Sequence, residues 1–525
     1  MPYGTNGKSK RGTRAGIVVM ALACSILLTI AGASLAQDSA PPSKGQIAQV
    51  PASPLIWQLP ANVDKSYGTI DGHKLKGYVE EQAAISRKYR DAGNQWWGRI
   101  AGMASGADEQ AWVEQKFKDI GVPTETKPIT MAPQDLPESW DVTVAANGKT
   151  LNLSSAHPII DFPTYMPSAE GDEELDSVWV GLGQASDFIG KDVSGKAVYI
   201  YSIPTPSTLI QSASWMGSVA RAQRAGAKAV IIDVAIPGNM HYVSHMNGTL
   251  RDFKAAVFTI GDQDGTNVEA LNAAVNGTGV KTHVRWKVDH YEALKEGIVI
   301  GKLPGMTDEN IVMIAHTDGY FEGATDDGAG VAALLGTAEY FAKLPKEQRR
   351  RTMYFIATPD HHGGDNGGKW MLENLQPVFA KTAVLVNAEH VAAMNAVWDR
   401  PWGTSVEPGL IATNGSGPSW WGVYGSDLLA RTVRDDYAAF GVPTQVNEGG
   451  SPGELARIQF QAPSFYLHNK GVYYHADADS PAIVPEDSLR NAVQAFCKIF
   501  NDINKVDMKD LKPPASSMPR TQQGH

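Results

Sequence analysis

From Glu296 to His390 the chain alternates between short, unbroken apolar runs and stretches with helical spacing. EGIVIGKLPG (296–305), ENIVMIAH (309–316), RRTMYFIATPD (350–360) and KTAVLVNAEH (381–390) are apolar without alternation. Runs of that length read as strands covered on both faces. Between them, Gly328 to Leu344 carries Val331, Leu334, Leu335, Ala338 and Phe341 at three- and four-residue steps, which predicts a helix. Strands alternating with helices predict an α/β fold around a largely parallel sheet. The Pro304-Gly305 turn marks the first two runs as neighbours in that sheet.

The flanks have other textures. Tyr78, Ala83, Ile85 and Tyr89 sit near helical spacing, and Trp112, Phe117 and Ile120 lead into a helix stop at Gly121. Beyond Pro158, SVWVGLGQASDFIGKDVSGKAVYIYSI gives two β-rich runs, SVARAQRAGAKAVIIDV a helix and a strand, and Ala255 to Ile260 a further strand. These textures divide the chain into a linker (37–62), the N-terminal part of a main domain (63–157), a β-rich insert (158–290), the rest of the main domain (291–505) and a flexible tail (506–525). Excision of 160–286 is expected to leave the main domain folded.

The chain has 525 residues, too many for one compact core. Its formal charge of -10 excludes a nucleic-acid partner as the default reading. Residues 1–36 open with Lys8, Lys10, Arg11 and Arg14, continue through an apolar run to Ile30 and end Ser34-Leu35-Ala36. This is the pattern of a cleaved export signal, so the mature protein is expected to be periplasmic or secreted, with no stable membrane partner. Of the two cysteines only Cys497 then remains, and the fold must stand without an internal disulfide.

The candidate chemistry lies where strands end. His316 closes one apolar run, with Asp318 two residues on and the pair Asp326-Asp327 before the helix. The next run leads into Asp360-His361-His362, followed by Gly364 and Gly367, and the next ends in Glu389-His390. Further on come Tyr473-Tyr474-His475 and Asp479-Ser480. Open α/β sheets place their ligands at the carboxyl ends of strands, and His, Asp and Glu are zinc donors.

This ordered set resembles the zinc aminopeptidase and glutamate carboxypeptidase-like metallopeptidases, which hold two zinc ions with His, Asp, Glu, Asp and His in chain order. The likeness runs from Val63 to Lys505 and is densest from Gly297 to Ser480. It implies a mixed central sheet with flanking helices, two zinc ions and a peptide substrate. By position it makes His316, Asp326, His362, Glu389 and His475 the metal ligands. Asp326 would bridge the ions, with His316 and Glu389 on one and His362 and His475 on the other. Asp318 would support His316, and Tyr474 would stabilise an oxyanion.

The chain departs from the family at its Glu-Glu pair. Matching the glycines puts His361 at the general base and His362 at the ligand; a slip of one residue puts Asp360 at the base and His361 at the ligand. Glu389 stands where the family has Asp, with His390 beside it as an alternative donor. His468 and Tyr466 read as packing or as outer partners of the ligands. The turns Asp192 to Lys196 and Ala225 to Val230 resemble those of a protease-associated domain, an insert found in exported members. The expected function is an exported aminopeptidase. A metal-binding but catalytically silent relative is the alternative, and a single-zinc glutaminyl cyclase-like enzyme a weaker one.

Overall fold

The computed structural model describes residues 67–514 apart from 160–161, 164, 204–211, 237, 245–253, 400–408, 448–449 and 470. The expected export signal, the linker and the last eleven residues, 515–525, lie outside that range.

The apolar runs form the middle of an eight-stranded mixed sheet. Its order is Thr444–Val446, Ser419–Tyr424, Ser464–Asn469, Thr382–Glu389, Asn310–His316, Thr352–Thr358, Lys295–Leu303 and Thr124–Thr130. The four central strands, from Ser464–Asn469 to Thr352–Thr358, run parallel. Successive side chains of a strand point to opposite faces. Accordingly, Ile311, Met313 and Ala315 join one apolar cluster, while Val312 and Ile314 join another on the far side. The helix Gly330–Ala342 packs on the first face, with Val331, Leu334, Leu335, Ala338 and Phe341 fully buried. Helices Gly72–Asp91 and Glu486–Ile503 share that cluster. Each large aliphatic side chain buried this way contributes about 1.5–3 kcal/mol.

Two expectations need correction. The strands Lys295–Leu303 and Asn310–His316 follow one another in the chain but are not partners; Thr352–Thr358 lies between them, antiparallel to the first and parallel to the second. A Pro-Gly connection cannot by itself say whether the strands it joins pair. The tail after 506 also keeps some structure: Met508–Leu511 is a helical turn whose Leu511 is buried in the main core.

The β-rich region builds a second eight-stranded sheet, ordered Lys149–Asn152, Gln134–Ala146, Lys281–Tyr291, Glu170–Trp179, Ala197–Ser202, Ala229–Val234, Ala256–Gly261 and His157–Pro158. Strands Gln134–Ala146 and Lys149–Asn152, placed by sequence texture in the main domain, hydrogen-bond within this second sheet. Alternation of buried and half-exposed positions along Gln134–Ala146 suits a sheet with one covered face. Among the described residues no helix is long and apolar enough to cross a membrane.

The second sheet's connections reach the main domain's last loop. Val243 N donates to the His475 carbonyl (2.9 Å), and His475 Nδ1 lies 3.1 Å from the Val243 carbonyl. Asp477 N donates to the His241 carbonyl (3.1 Å), and the His241 ring meets Asp477 Oδ2 at 2.9 Å and the Ser154 carbonyl at 3.0 Å. Tyr242 and Ala476 form the bridge between these pairs.

Excision of 160–286 would therefore strip His475 of the carbonyl that orients its ring. Outer partners of a metal-bound histidine are typically worth about 10–100-fold in metal affinity. A chain lacking 160–286 should bind zinc at least about tenfold more weakly than the full chain in a chelator-competition titration. Wild-type affinity in the excised chain would show that the two parts are independent.

Candidate metal centre

Every expected ligand sits at or just beyond the carboxyl edge of the parallel strands. His316 ends Asn310–His316, Glu389 ends Thr382–Glu389, and His361 and His362 follow Thr352–Thr358. Asp326 lies in the irregular turn Ala324–Ala329 that leads into the helix Gly330–Ala342. His475 follows the strand Ser464–Asn469. His316, Asp326, Glu389 and His475 are all at most 2% exposed, and His362 is 8% exposed.

Arg99, itself fully buried, holds this turn by its backbone. Its guanidinium donates to the carbonyls of Thr317 (3.0 Å), Glu322 (2.7 Å) and Gly323 (2.9 Å). Gly319 is required by the approach, since a Cβ there would lie 2.4 Å from the Asp326 carbonyl and 2.9 Å from Arg99 Nη2. From the opposite side, Asp479 accepts from Thr325 N (2.8 Å) and Asp326 N (3.2 Å). Asp327 takes the neighbouring amides of His316 (3.3 Å), Gly330 (3.1 Å) and His390 (2.9 Å).

The Asp326 carboxylate is the hub. His362 Nε2 (3.2 Å) and His475 Nε2 (3.0 Å) face its Oδ2, and those two nitrogens are 3.1 Å apart. His316 Nε2 (3.1 Å) and His390 Nε2 (3.0 Å) face its Oδ1. Neither His316 Nε2 nor Asp326 Oδ2 has a properly directed hydrogen bond despite these approaches. Glu389 offers a carboxylate oxygen within 4.8 Å of donors on both His316 and His390.

These spacings test the fit to zinc. Donors placed about 2.0–2.1 Å from a tetrahedral ion are roughly 3.3 Å apart. The near-equilateral triangle of Asp326 Oδ2, His362 Nε2 and His475 Nε2 has the size of one face of such a tetrahedron. Charge points the same way. The strongest charges acting on buried Asp318, Asp326, Asp327, Glu389 and Glu454 come from imidazoles and from one another. A cluster of buried carboxylates is costly without cations. The donor set fits zinc.

The outer partners extend what the sequence implied. His316 Nδ1 donates to the backbone carbonyl of Asp318 (2.9 Å), whereas the Asp318 carboxylate lies 3.0 Å from His362 Nδ1. It also accepts from the amides of His361 (3.0 Å) and His362 (3.0 Å). Asp318 therefore supports His316, through its carbonyl and a carboxylate oxygen 3.5 Å from Nδ1, and also clamps the His361-His362 pair. Burial opposes charge there, but the His362 and His316 rings hold Asp318 well below the usual carboxylate range.

Asp360 is turned away from the donor groups. Its side chain accepts from the amide and side chain of Asn366, its φ is 70°, and burial pushes its pKa up to about 7. It forms no part of the donor groups, which instead include His361 with His316 and His362. The slipped reading that makes Asp360 the base is not the arrangement found. Tyr474 stacks on His475 at 3.6 Å between ring centroids and lies 5.2 Å from the His390 ring.

Two participants were less visible in the sequence. His390 takes a full donor place on Asp326, where sequence position favoured Glu389 alone; the residue after the strand turns its ring inward at φ 50°. Glu454, 1% exposed, brings Oε1 to 3.3 Å from His361 Nδ1. Nothing in the segment Gly449 to Leu455 distinguishes that glutamate from one in an ordinary glycine-rich turn. His468 takes the outer-partner place, with its Nδ1 3.3 Å from Glu389 Oε1.

Residues 299–499 match the model of peptidase family M28. Solved structures of the same fold include a zinc aminopeptidase from Bacillus subtilis, at 16% identity and TM-score 0.57, covering 87% of this chain and 99% of that one. An aminopeptidase from Aneurinibacillus sp. strain AM-1 matches at 18% identity and TM-score 0.52, covering 86% and 96%. A peptidase M28 precursor from Shewanella amazonensis matches at 16% identity and TM-score 0.62, covering 84% and 98%. No curated protein matches the chain. The matched segment contains the expected metal-binding residues from His316 to His475, and the α/β fold with its mixed sheet is that of the solved structures. Over residues 299–499, which carry the candidate centre, this chain is similar to peptidase family M28, and its fold is that of the solved aminopeptidases.

Proposed function

We propose that this protein is an exported zinc-dependent aminopeptidase that holds two ions and removes N-terminal residues from peptides. The observation that carries the reading is the Asp326 carboxylate, with one imidazole pair facing each of its oxygens. The family match supports peptide hydrolysis, and the aminopeptidase mode follows the solved Bacillus and Aneurinibacillus enzymes. Export rests on the basic and apolar pattern of residues 1–36. The second-sheet region, extended to begin near Gln134, is proposed to be an inserted module covering the centre.

His316, His390, Asp326 and Glu389 would hold one ion, and His362, His475 and Asp326 the other. Bound zinc supplies charge that polarises a peptide carbonyl and eases deprotonation of water. The chain supplies the rest. Asp318 fixes the His361-His362 pair, His361 accepts the proton of the attacking water, and the Tyr474 hydroxyl donates to the developing oxyanion. Burial, with the neighbouring His316, lowers the His361 pKa to about 3, so its ring is neutral and able to accept a proton at neutral pH. One feature favours a silent binding protein instead: imidazoles occupy both places of the family's Glu-Glu pair.

A panel of aminoacyl-anilides, assayed with and without chelator, decides between these readings. The peptidase should turn over at least one substrate and lose activity on chelation. His361→Ala should lower turnover by about a hundredfold or more with its zinc retained, and Asp360→Ala should do far less. No turnover on any substrate would leave the binding protein.

Metal loading should also displace protons. In the metal-free chain burial disfavours charge on both rings, yet the surrounding carboxylates raise His316 well above its ordinary value and His362 to about 9. Both are thus protonated below those values and must lose a proton to coordinate. Calorimetric titration with zinc near neutral pH, in buffers of different ionisation enthalpy, should show about two protons released, with affinity rising as pH increases. Zinc uptake without proton release would contradict these ligand assignments.

Asp326→Ala removes the group shared by both donor sets. It should abolish most bound zinc while the fold persists, as read by metal analysis and circular dichroism. Retention of two ions would sink the bridging assignment.

A further inference from the structure

The exchange of Glu for His at position 361 removes a negative charge from the place where the family has its proton acceptor. A carboxylate from a distant segment stands beside that place. Glu454 immediately precedes the short helix Leu455–Ile458, is 1% exposed, and among the described residues has no hydrogen-bond partner on either oxygen. Its Oε1 is 3.3 Å from His361 Nδ1. The His361 ring stacks on His316 at 4.5 Å, its backbone N–H donates to Asp318, and a ring nitrogen lies within 4.8 Å of donor nitrogens on His316 and His362.

The segment carrying Glu454 has little freedom. Gly453 has φ +63°, and a Cβ there would fall 1.5 Å from Glu389 Oε2, so the backbone is pressed against that candidate ligand. Asn387 Nδ2 donates both to Glu389 Oε2 (2.6 Å) and to the Pro452 carbonyl (3.4 Å), tying the segment to the strand. Ser451 N donates to Gln459 Oε1 (3.0 Å). A buried carboxylate is costly unless a donor meets it, and the ring N–H of His361 is the donor at hand.

We propose that Glu454 is a positioning residue for His361, accepting a hydrogen bond from Nδ1–H and so leaving Nε2 as the ring's proton-accepting atom. The hydrogen bond made by one ring nitrogen sets the tautomer at the other. This inference deepens the peptidase reading above and rests on it for the role of His361.

The test uses the full, zinc-loaded chain and the variants Glu454→Gln, Glu454→Ala, His361→Ala and the double variant His361→Ala/Glu454→Gln. Glu454→Gln should lower kcat by about tenfold or more, the scale of an outer partner, with KM and zinc content unchanged. The double variant should be no slower than His361→Ala alone, because Glu454 acts through that ring. Additive losses, or an unchanged kcat in Glu454→Gln, would overturn the proposal. So would a tenfold loss of zinc affinity, which would make Glu454 a ligand.

A second readout does not depend on turnover. In 15N-histidine-labelled protein, one downfield imidazole N–H proton should disappear in His361→Ala and Glu454→Ala and move upfield in Glu454→Gln. A spectrum with no resonance sensitive to both positions overturns the pair even if peptides are cleaved. If the resonance behaves as expected while no peptide is cleaved, the pair stands and the peptidase reading fails.

Discussion

The Asp326 carboxylate, buried and approached by a separate imidazole pair at each oxygen, is the group around which the other residues of the centre are arranged. In the proposed function this carboxylate would be shared by two cations, lowering their mutual repulsion and setting their distance. The group can do this only if it does not move. Arg99 takes carbonyls on one side of its turn, Asp479 takes amides on the other, and Asp327 collects the amides of three neighbouring segments. Much of the hydrogen bonding near the centre thus goes into holding backbone, so that a few side chains have one available geometry.

In the proposed site His361 and His362 stand where the resemblance implies two glutamates, which changes the charge of the site more than its shape. A neutral imidazole can donate to zinc as a carboxylate does, so the ligand place survives the exchange. The adjacent place is affected differently, because a ring lacks the charge and rotational freedom of a glutamate. Asp318 and Glu454 respond to these two deficits. One carboxylate grips the backbone of the pair and the His362 ring, and the other meets the His361 ring.

Much of this was legible in the sequence because it is local. The four central strands announce themselves as continuous apolar runs and the helix Gly330–Ala342 by its periodicity, while His316, Asp326, His362, Glu389 and His475 were picked out by the family resemblance. What was illegible is what arises between distant segments. Strand neighbours depend on crossovers rather than on the turn between them, hence the mistaken pairing of Lys295–Leu303 with Asn310–His316. The inward turn of His390 depends on a left-handed backbone that its side chain does not advertise. Asp360 and His361 were separable only by seeing which of them Asn366 draws away. Glu454 carries no local signature, since its meaning comes from a histidine contributed by another strand.

The contact between the second sheet and the loop at His475 has a consequence for how the centre comes into being. His475 and Val243, which orient each other, are 232 residues apart in the chain. Contacts of such separation are among the last to form, since the entropy of closing the intervening loops must be met first. A chain with only its central sheet assembled has His316 and Asp326 close together but lacks an oriented His475. In the proposed zinc site, ion affinity would therefore rise as the second sheet docks and orients His475.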